Sequence, residues 1–279
     1  MRPIDNALTC FQSRLSEDLA GIDRSAIDLA VARDTRNVHL LHEFTSLRRL
    51  SVVGGDADTL QHAFQISSLQ EMALVAGRCE LPCSTRLPNL RTLLVLDSPA
   101  VTDIASLAEL PQIQILGLAG CRNLQNYSPL GRLQSLRQLE IGMRRYHEKI
   151  SASSLSFLAE LQQLEHLAIF FTAVLDQSID AIIELAGLRT LELSNTFPRS
   201  SFARLAAKLP STACGWFQGW QFLGLCPKCN TESLAMITGK GQRSLCRVCQ
   251  SSQFRTKLEE WQETVAAERL RSQKDVAAH

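Results

Sequence analysis

One short phrase recurs along this chain at nearly fixed intervals and narrows its possible folds more than any other feature. Leu90-x-x-Leu93-x-Val95, Ile113-x-x-Leu116-x-Leu118 and Leu136-x-x-Leu139-x-Ile141 begin 23 residues apart. The phrase continues in both directions: Leu47-x-x-Leu50-x-Val52 and Leu69-x-x-Met72-x-Leu74 precede it, Leu164-x-x-Leu167-x-Ile169 and Leu188-x-x-Leu191-x-Leu193 follow, and Ala26-x-x-Leu29-x-Val31 is a weaker first copy. Successive starts are separated by 21, 22, 21, 23, 23, 28 and 24 residues. A period of this size specifies stacked units, none of which buries its apolar face alone. The last two apolar positions of each phrase alternate with period two, as in a strand with one buried face. The segments between, such as Ile104–Leu110 and Leu155–Leu161, carry helical spacing and return the chain. Pro88, Pro111 and Pro129 fall in these connections, where a missing backbone donor is tolerated.

The stretch 90–141 resembles a leucine-rich repeat array, and Val101-Thr102-Asp103-Ile104 followed by Leu107 and Leu110-Pro111 is similar to bacterial internalin-type repeats. The resemblance implies an α/β solenoid of about eight coils with a parallel sheet on its concave face, and a partner protein bound on that face. The family's usual Asn after the strand is missing. Eight residues after each start stand Gly55, Gly77, Ser98, Cys121, Arg144, Thr172 and Thr196, so an irregular array with a broken hydrogen-bond ladder is expected. The 28-residue step is expected to hold a bulge or a fuller helix.

Five segments follow from the pattern. Residues 1–25 are expected to form an N-terminal helical cap, since Leu8, Phe11, Leu15 and Leu19 recur at spacings of three and four. Residues 26–210 form the array. Residues 211–225 form an aromatic cap or linker with Trp216, Phe217, Trp220 and Phe222; an aromatic ligand cage is the alternative. Residues 226–254 form a small module, and 255–279 a C-terminal helix and frayed tail, with Phe254, Leu258, Trp261 and Val265 on one stripe.

The small module carries the most specific chemistry. Cys226-Pro-Lys-Cys229 and Cys246-Arg-Val-Cys249 are two CxxC pairs separated by sixteen residues. Each CxxC turn brings two thiolates to one ion, and four thiolates complete a closed tetrahedral shell for one structural Zn²⁺. Between them, 234–238 and 242–245 read as a hairpin turning at Gly239-Lys240-Gly241. The module therefore resembles a zinc ribbon. A redox dithiol pair is the alternative, but the thioredoxin-like βαβ context it needs is absent. Cys79 and Cys83 are read as core or turn cysteines, with a second metal or redox site as the alternative.

Charge and composition restrict the rest. Lys and Arg number 29 against 28 Asp and Glu, which gives no overall polyanion-binding field. Residues 226–257 are different: Lys228, Lys240, Arg243, Arg247, Arg255 and Lys257 stand against Glu232 alone. No apolar run approaches the roughly 18 residues of a membrane span. Charged and polar residues interrupt the N-terminus where a secretory signal needs an apolar core. A cytoplasmic protein with reduced cysteines is expected. No phosphate-binding loop, nucleophile elbow or HExxH is present, so no catalytic residue is assigned and the chain is read as non-enzymatic.

The outward strand positions form three rows, whose middle coils are small or apolar. Leu94, Leu96, Ile115 and Phe170, with the neighbouring Arg144, Arg145 and Tyr146, are the expected partner contacts. The expected function is a protein-binding scaffold, with inhibition of a cognate toxin by an immunity protein as one purpose. Nucleic-acid association through the basic ribbon is the alternative, and an adaptor presenting a substrate to a separate enzyme is a third reading.

Overall fold

The computed structural model describes residues 14–82, 87–144, 148–176 and 178–277, with side chains to 274. The chain divides into two compact units at the Gly187–Leu188 bond.

The first unit contains strands β1 (Leu15–Asp18), β2 (Asp28–Arg36), β3 (Arg49–Val53), β4 (Glu71–Val75), β5 (Thr92–Leu96), β6 (Ile115–Ala119), β7 (Gln138–Gly142), β8 (Ser151–Ala152), β9 (His166–Phe170) and β10 (Ala173–Val174). Strands β3 to β7 and β9 each begin two residues after the start of a phrase. Within this unit the main sheet runs β1-β2-β3-β4-β5-β6-β7-β9, and every neighbouring pair is parallel. The register produces two unbroken interior ladders. Leu29, Leu50, Met72, Leu93, Leu116, Leu139 and Leu167 form one; Val31, Val52, Leu74, Val95, Leu118, Ile141 and Ile169 form the other. All fourteen are buried. Each contributes about 1.5–3 kcal/mol by leaving water, and the stack closes because each coil supplies one wall of the next.

Helix α1 (Ala57–Ala63) and the short α2 (Asp180–Ile183) lie in the return segments, and Ala105–Glu109, Ser128–Arg132 and Ser156–Glu160 are 3-10 turns. Pro129 opens the second of these turns, where its missing N–H is not needed. Among its described residues the 28-residue step holds no helix fuller than the 3-10 turn Ser156–Glu160. It contains β8, which pairs in parallel with β10 as a second, two-stranded sheet.

After the strands, a backbone staircase links successive coils. The amides of Gly54, Ala76, Asp97, Gly120 and Met143 donate to the carbonyls of Val75, Leu96, Ala119, Gly142 and Phe170. Gly54, Ala76, Asp97 and Gly120 take left-handed backbone angles to aim these donors. The missing Asn ladder is thus partly replaced by main chain. Side chains add to it: the Ser98 hydroxyl bonds to Gly77 and Leu96, and the Cys121 thiol lies 3.6 Å from the Val95 carbonyl.

The expected N-terminal helical cap over 1–25 differs in its described part, residues up to 13 lying outside the described residues. Leu15–Asp18 is a strand against β2, and Leu19–Gly21 a 3-10 turn capped by the Asp18 carboxylate. Two leucines at helical spacing are a weaker instruction than the open edge of a sheet, which offers backbone partners to any extended segment.

The second unit contains β11 (Thr190–Leu193), α3 (Arg199–Lys208), β12 (Trp220–Gly224), β13 (Leu234–Ile237), β14 (Leu245–Cys246) and α4 (Ser251–Ala277). The last phrase of the repeat pattern therefore shares a compact unit with the cysteine module. Asn195, just after β11, donates to the Ile237 carbonyl at 3.0 Å and accepts from the Gly239 amide at 2.7 Å. Trp216 Nε1 donates to the Leu193 carbonyl, and the Thr238 hydroxyl to the Trp216 carbonyl. Strands β12, β13 and β14 form an antiparallel sheet in that order. Trp261 and Val265 of α4 are buried, Trp261 donating to the Phe217 carbonyl. Gly219, at φ +89°, passes so close to the Trp261 ring that a Cβ would lie 2.7 Å from it. Helix α4 continues to Ala277, where the sequence reading placed a frayed tail.

Candidate functional site

Two sites carry the sequence-derived candidates, one in each unit. In the second, Cys226 and Cys229 flank a tight turn held by Asn230 N–H to Cys226 C=O and Cys226 N–H to Thr231 C=O, both 2.9 Å. Asn230 takes a left-handed conformation to close it. Cys246 ends β14, and Cys249 stands two residues before α4. The antiparallel register sets Leu234 opposite Cys246, which brings the two turns together.

The four sulfurs all lie within 4.8 Å of one another, and Cys229 and Cys246 are 3.7 Å apart. None of the four is in a disulfide. A tetrahedral ion with metal–sulfur bonds of about 2.3 Å places its sulfurs about 3.8 Å apart, so the set fits a single ion. Cys226 and Cys246 are buried, Cys229 is half-buried and Cys249 exposed. Backbone amides already point at sulfur: Lys228 N–H at 3.4 Å from Cys226, and Cys249 N–H at 3.2 Å from Cys246. Such donors favour the anionic sulfur a metal requires.

Two hydroxyls belong to this environment and escaped the sequence reading. Thr231 Oγ1 lies 3.0 Å from Cys229 Sγ, and Ser233 Oγ 3.0 Å from Cys246 Sγ. Hydrogen bonding from Thr231 holds the Cys229 thiol down at about 6, and bonding from Ser233 lowers that of Cys246. Cys249 is pushed up to about 12, chiefly by its hydrogen bond to Cys229. The available signal was only a pair of hydroxyl residues two and four positions after Cys229. Elsewhere, burial raises the Cys121 thiol to about 12 and the Cys214 thiol to about 11, which suits packing rather than reactivity. Cys79 is half-buried with its thiol raised, and Cys83 lies outside the described residues.

On the sheet of the first unit, the outward rows differ from the exposed apolar floor expected. Leu94 and Leu96 are fully buried, and with Ala73 and Ala119 they form a separate packed cluster against Val75. The register sets Leu94 between Ala73 and Gly117, and Leu96 between Val75 and Ala119. The whole middle row, from Ala30 through Ser51, Ala73, Leu94, Gly117 and Glu140 to Ala168, is buried. The flanking rows remain half-exposed at Arg49, Glu71, Ile115, Gln138 and His166 on one side and Val53, Val75 and Phe170 on the other. Of the expected contacts, Ile115 and Phe170 are thus accessible. Arg144 is part-buried, pairs with Asp97 at 3.3 Å and donates its amide to Glu148 at 2.8 Å. Arg145 and Tyr146 lie outside the described residues.

No described helix is long and apolar enough to cross a membrane. No protein-family model matches the chain. No curated protein matches it either. Solved structures do. A leucine-rich repeat protein of Leptospira interrogans superposes with a TM-score of 0.54 at 20% identity, covering 72% of this chain and 51% of the other, so this chain spans about half that protein's length. Internalin C2 of Listeria monocytogenes gives 0.47 at 19% identity, covering 62% and 72%, and internalin F of the same organism 0.38 at 19%, covering 67% of each. The parallel ladders and the likeness to the Leptospira protein together identify the fold as that of leucine-rich repeat proteins.

Proposed function

We propose that this chain is a non-catalytic protein-binding module whose sheet face engages a partner protein and whose C-terminal unit is held by one structural Zn²⁺ on Cys226, Cys229, Cys246 and Cys249. The observation that carries the binding reading is the sheet of the first unit: a sealed middle row flanked by two half-exposed rows that hold Ile115 and His166 on one side and Phe170 on the other. A rigid parallel sheet presents such rows with little ordering cost on binding, which favours affinity. The proposed contacts are Ile115, Phe170 and Arg144, with Arg145 and Tyr146 retained by their place in sequence after Arg144; Leu94 and Leu96 are buried. Zinc is favoured over other metals by four thiolates in a tetrahedral set. Four protein ligands leave no open position for substrate or water, so the ion's part is structural.

Occupancy of a partner surface suits inhibition, and neutralisation of a cognate toxin by a cytoplasmic immunity protein is one such purpose, by analogy alone. The test is affinity purification of the full chain from its native host beside Ile115→Glu and Phe170→Glu. Loss of a stoichiometric protein partner with either variant is expected. A partner retained by both variants overturns the sheet-face reading.

The six Lys and Arg against one Glu in 226–257 support a second reading, association with nucleic acid through the cysteine module. It requires binding that weakens steeply with salt.

A further inference from the structure

We infer that β12 is a second docking surface, on which an extended, acidic-flanked peptide segment of a partner protein adds as a further strand. The strand lies at one end of the order β12-β13-β14 and, among the described residues, pairs with β13 alone. The Thr238 amide donates to the Gly219 carbonyl at 2.9 Å. In an antiparallel pair the bonding residues alternate, so Gly219 and Gln221 point their backbone groups at β13, and Trp220 and Phe222 point theirs outward. The free edge therefore offers N–H and C=O groups at a strand's own spacing.

Natural sheets blunt such edges with charge, proline, a bulge or a covering element, and here an irregularity interrupts the pairing only after Phe222. Trp220-Gln221-Phe222-Leu223-Gly224 contains no charge and no proline. Phe222 is 55% exposed, Leu223 46% and Leu225 57%. The register with β13 shifts between Phe222 and Gly224, so the regular edge runs from Gly219 to Phe222, and Phe222 shares one face with Trp220. The exposed Phe222, Leu223 and Leu225 give this edge apolar side chains for an added strand to cover while it satisfies the outward backbone groups of Trp220 and Phe222.

Charge selects the occupant. The Arg247 guanidinium lies 4.7 Å above the Trp220 ring, on the face that Trp220 shares with Phe222, and that ring is braced edge-on by Phe254 at 5.6 Å. Lys228 and Arg247 stand in the two cysteine turns, within residues 226–257, which hold six cations and one carboxylate. A bound zinc thiolate cluster carries two negative charges and leaves the segment positive. A second copy of this chain would set like charges together, whereas acidic residues flanking an apolar strand would meet them favourably.

The experiment uses the zinc-loaded full chain and three fluorescein-labelled probes read by polarisation: a short peptide alternating valine with glutamate, its valine–lysine counterpart, and the glutamate peptide N-methylated at alternate residues. Phe222→Glu removes the apolar contact, and Phe222→Pro removes the outward N–H while sparing the bonds of Gln221; unchanged zinc content and circular dichroism verify both folds. Saturable binding of the glutamate peptide is expected, at least about tenfold weaker for either variant and for the N-methylated probe, with slowed hydrogen exchange at the Phe222 amide. No binding, equal binding of the lysine peptide, or binding indifferent to both variants overturns the proposal. Sedimentation showing a dimer that Phe222→Glu dissolves overturns it in favour of a second copy.

Discussion

The hydroxyl of Ser98 accepts a hydrogen bond from the Gly77 amide at 2.9 Å and donates to the Leu96 carbonyl, also at 2.9 Å. One fully buried side chain thus ties two coils together, eight residues after the start of its phrase. Ser98→Ala leaves a buried amide without its acceptor. A loss of about 1–3 kcal/mol is expected, read as a lower urea midpoint at unchanged slope.

Gly142 is the tightest point between β7 and β9. Its φ is +109°, and a Cβ there would lie 2.2 Å from the Phe170 carbonyl oxygen and 2.6 Å from its carbon. These are backbone atoms and cannot rotate away. Gly142→Ala is expected to cost about 3 kcal/mol or more. Gly131→Ala is the control, since an added Cβ there meets its neighbours no closer than 3.5 Å. Equal stability of the two variants in urea titrations would refute this assignment.

Asp56 caps α1, its carboxylate accepting from the Thr59 amide at 3.0 Å and the Thr59 hydroxyl at 2.9 Å. The amide bond, followed by the hydroxyl bond, holds this carboxyl below its ordinary value of 3.8. The folded value is the lower one, so the stabilisation is complete above the unfolded value and fades as pH falls through the folded one. Asp56→Ala should cost about 1 kcal/mol at neutral pH. Thermal melts should show that gap closing as the solution is acidified below the ordinary aspartate range.

Metal analysis of the purified chain should return about one zinc per molecule. Cys226→Ser and Cys246→Ser remove buried ligands, and each should abolish metal retention and lower the melting temperature. Protons compete for the thiolates, so zinc should leave on acidification. A folded chain that retains its melting temperature after chelation would refute the structural role.

The strands of the array were legible because each phrase states a local rule, two inward apolar residues flanking one outward, that the stack then enforces. The cysteine cluster was legible because spacing alone brings four sulfurs together. What escaped depends on neighbours distant in sequence. Leu94 and Leu96 occupy outward positions, yet both are buried in a cluster with Ala73 and Ala119 of neighbouring strands, which no single strand displays. Leu15 and Leu19 share a helical spacing, yet Leu15 becomes strand because a sheet edge is available. The joining of β11 to the cysteine module rests on Asn195 reaching the Gly239 amide, a contact over 44 residues.

The sealed middle row has a consequence for how this surface can change over generations. Ala73, Leu94, Gly117 and Ala168 are buried, while Ile115, two residues from Gly117 on β6, and His166 and Phe170, each two residues from Ala168 on β9, are half-exposed. Substitutions that retune a partner can accumulate in the flanking rows at little cost to folding. Recognition and foldability are thus written in separate columns of one text, and the chain can drift in the first without rewriting the second.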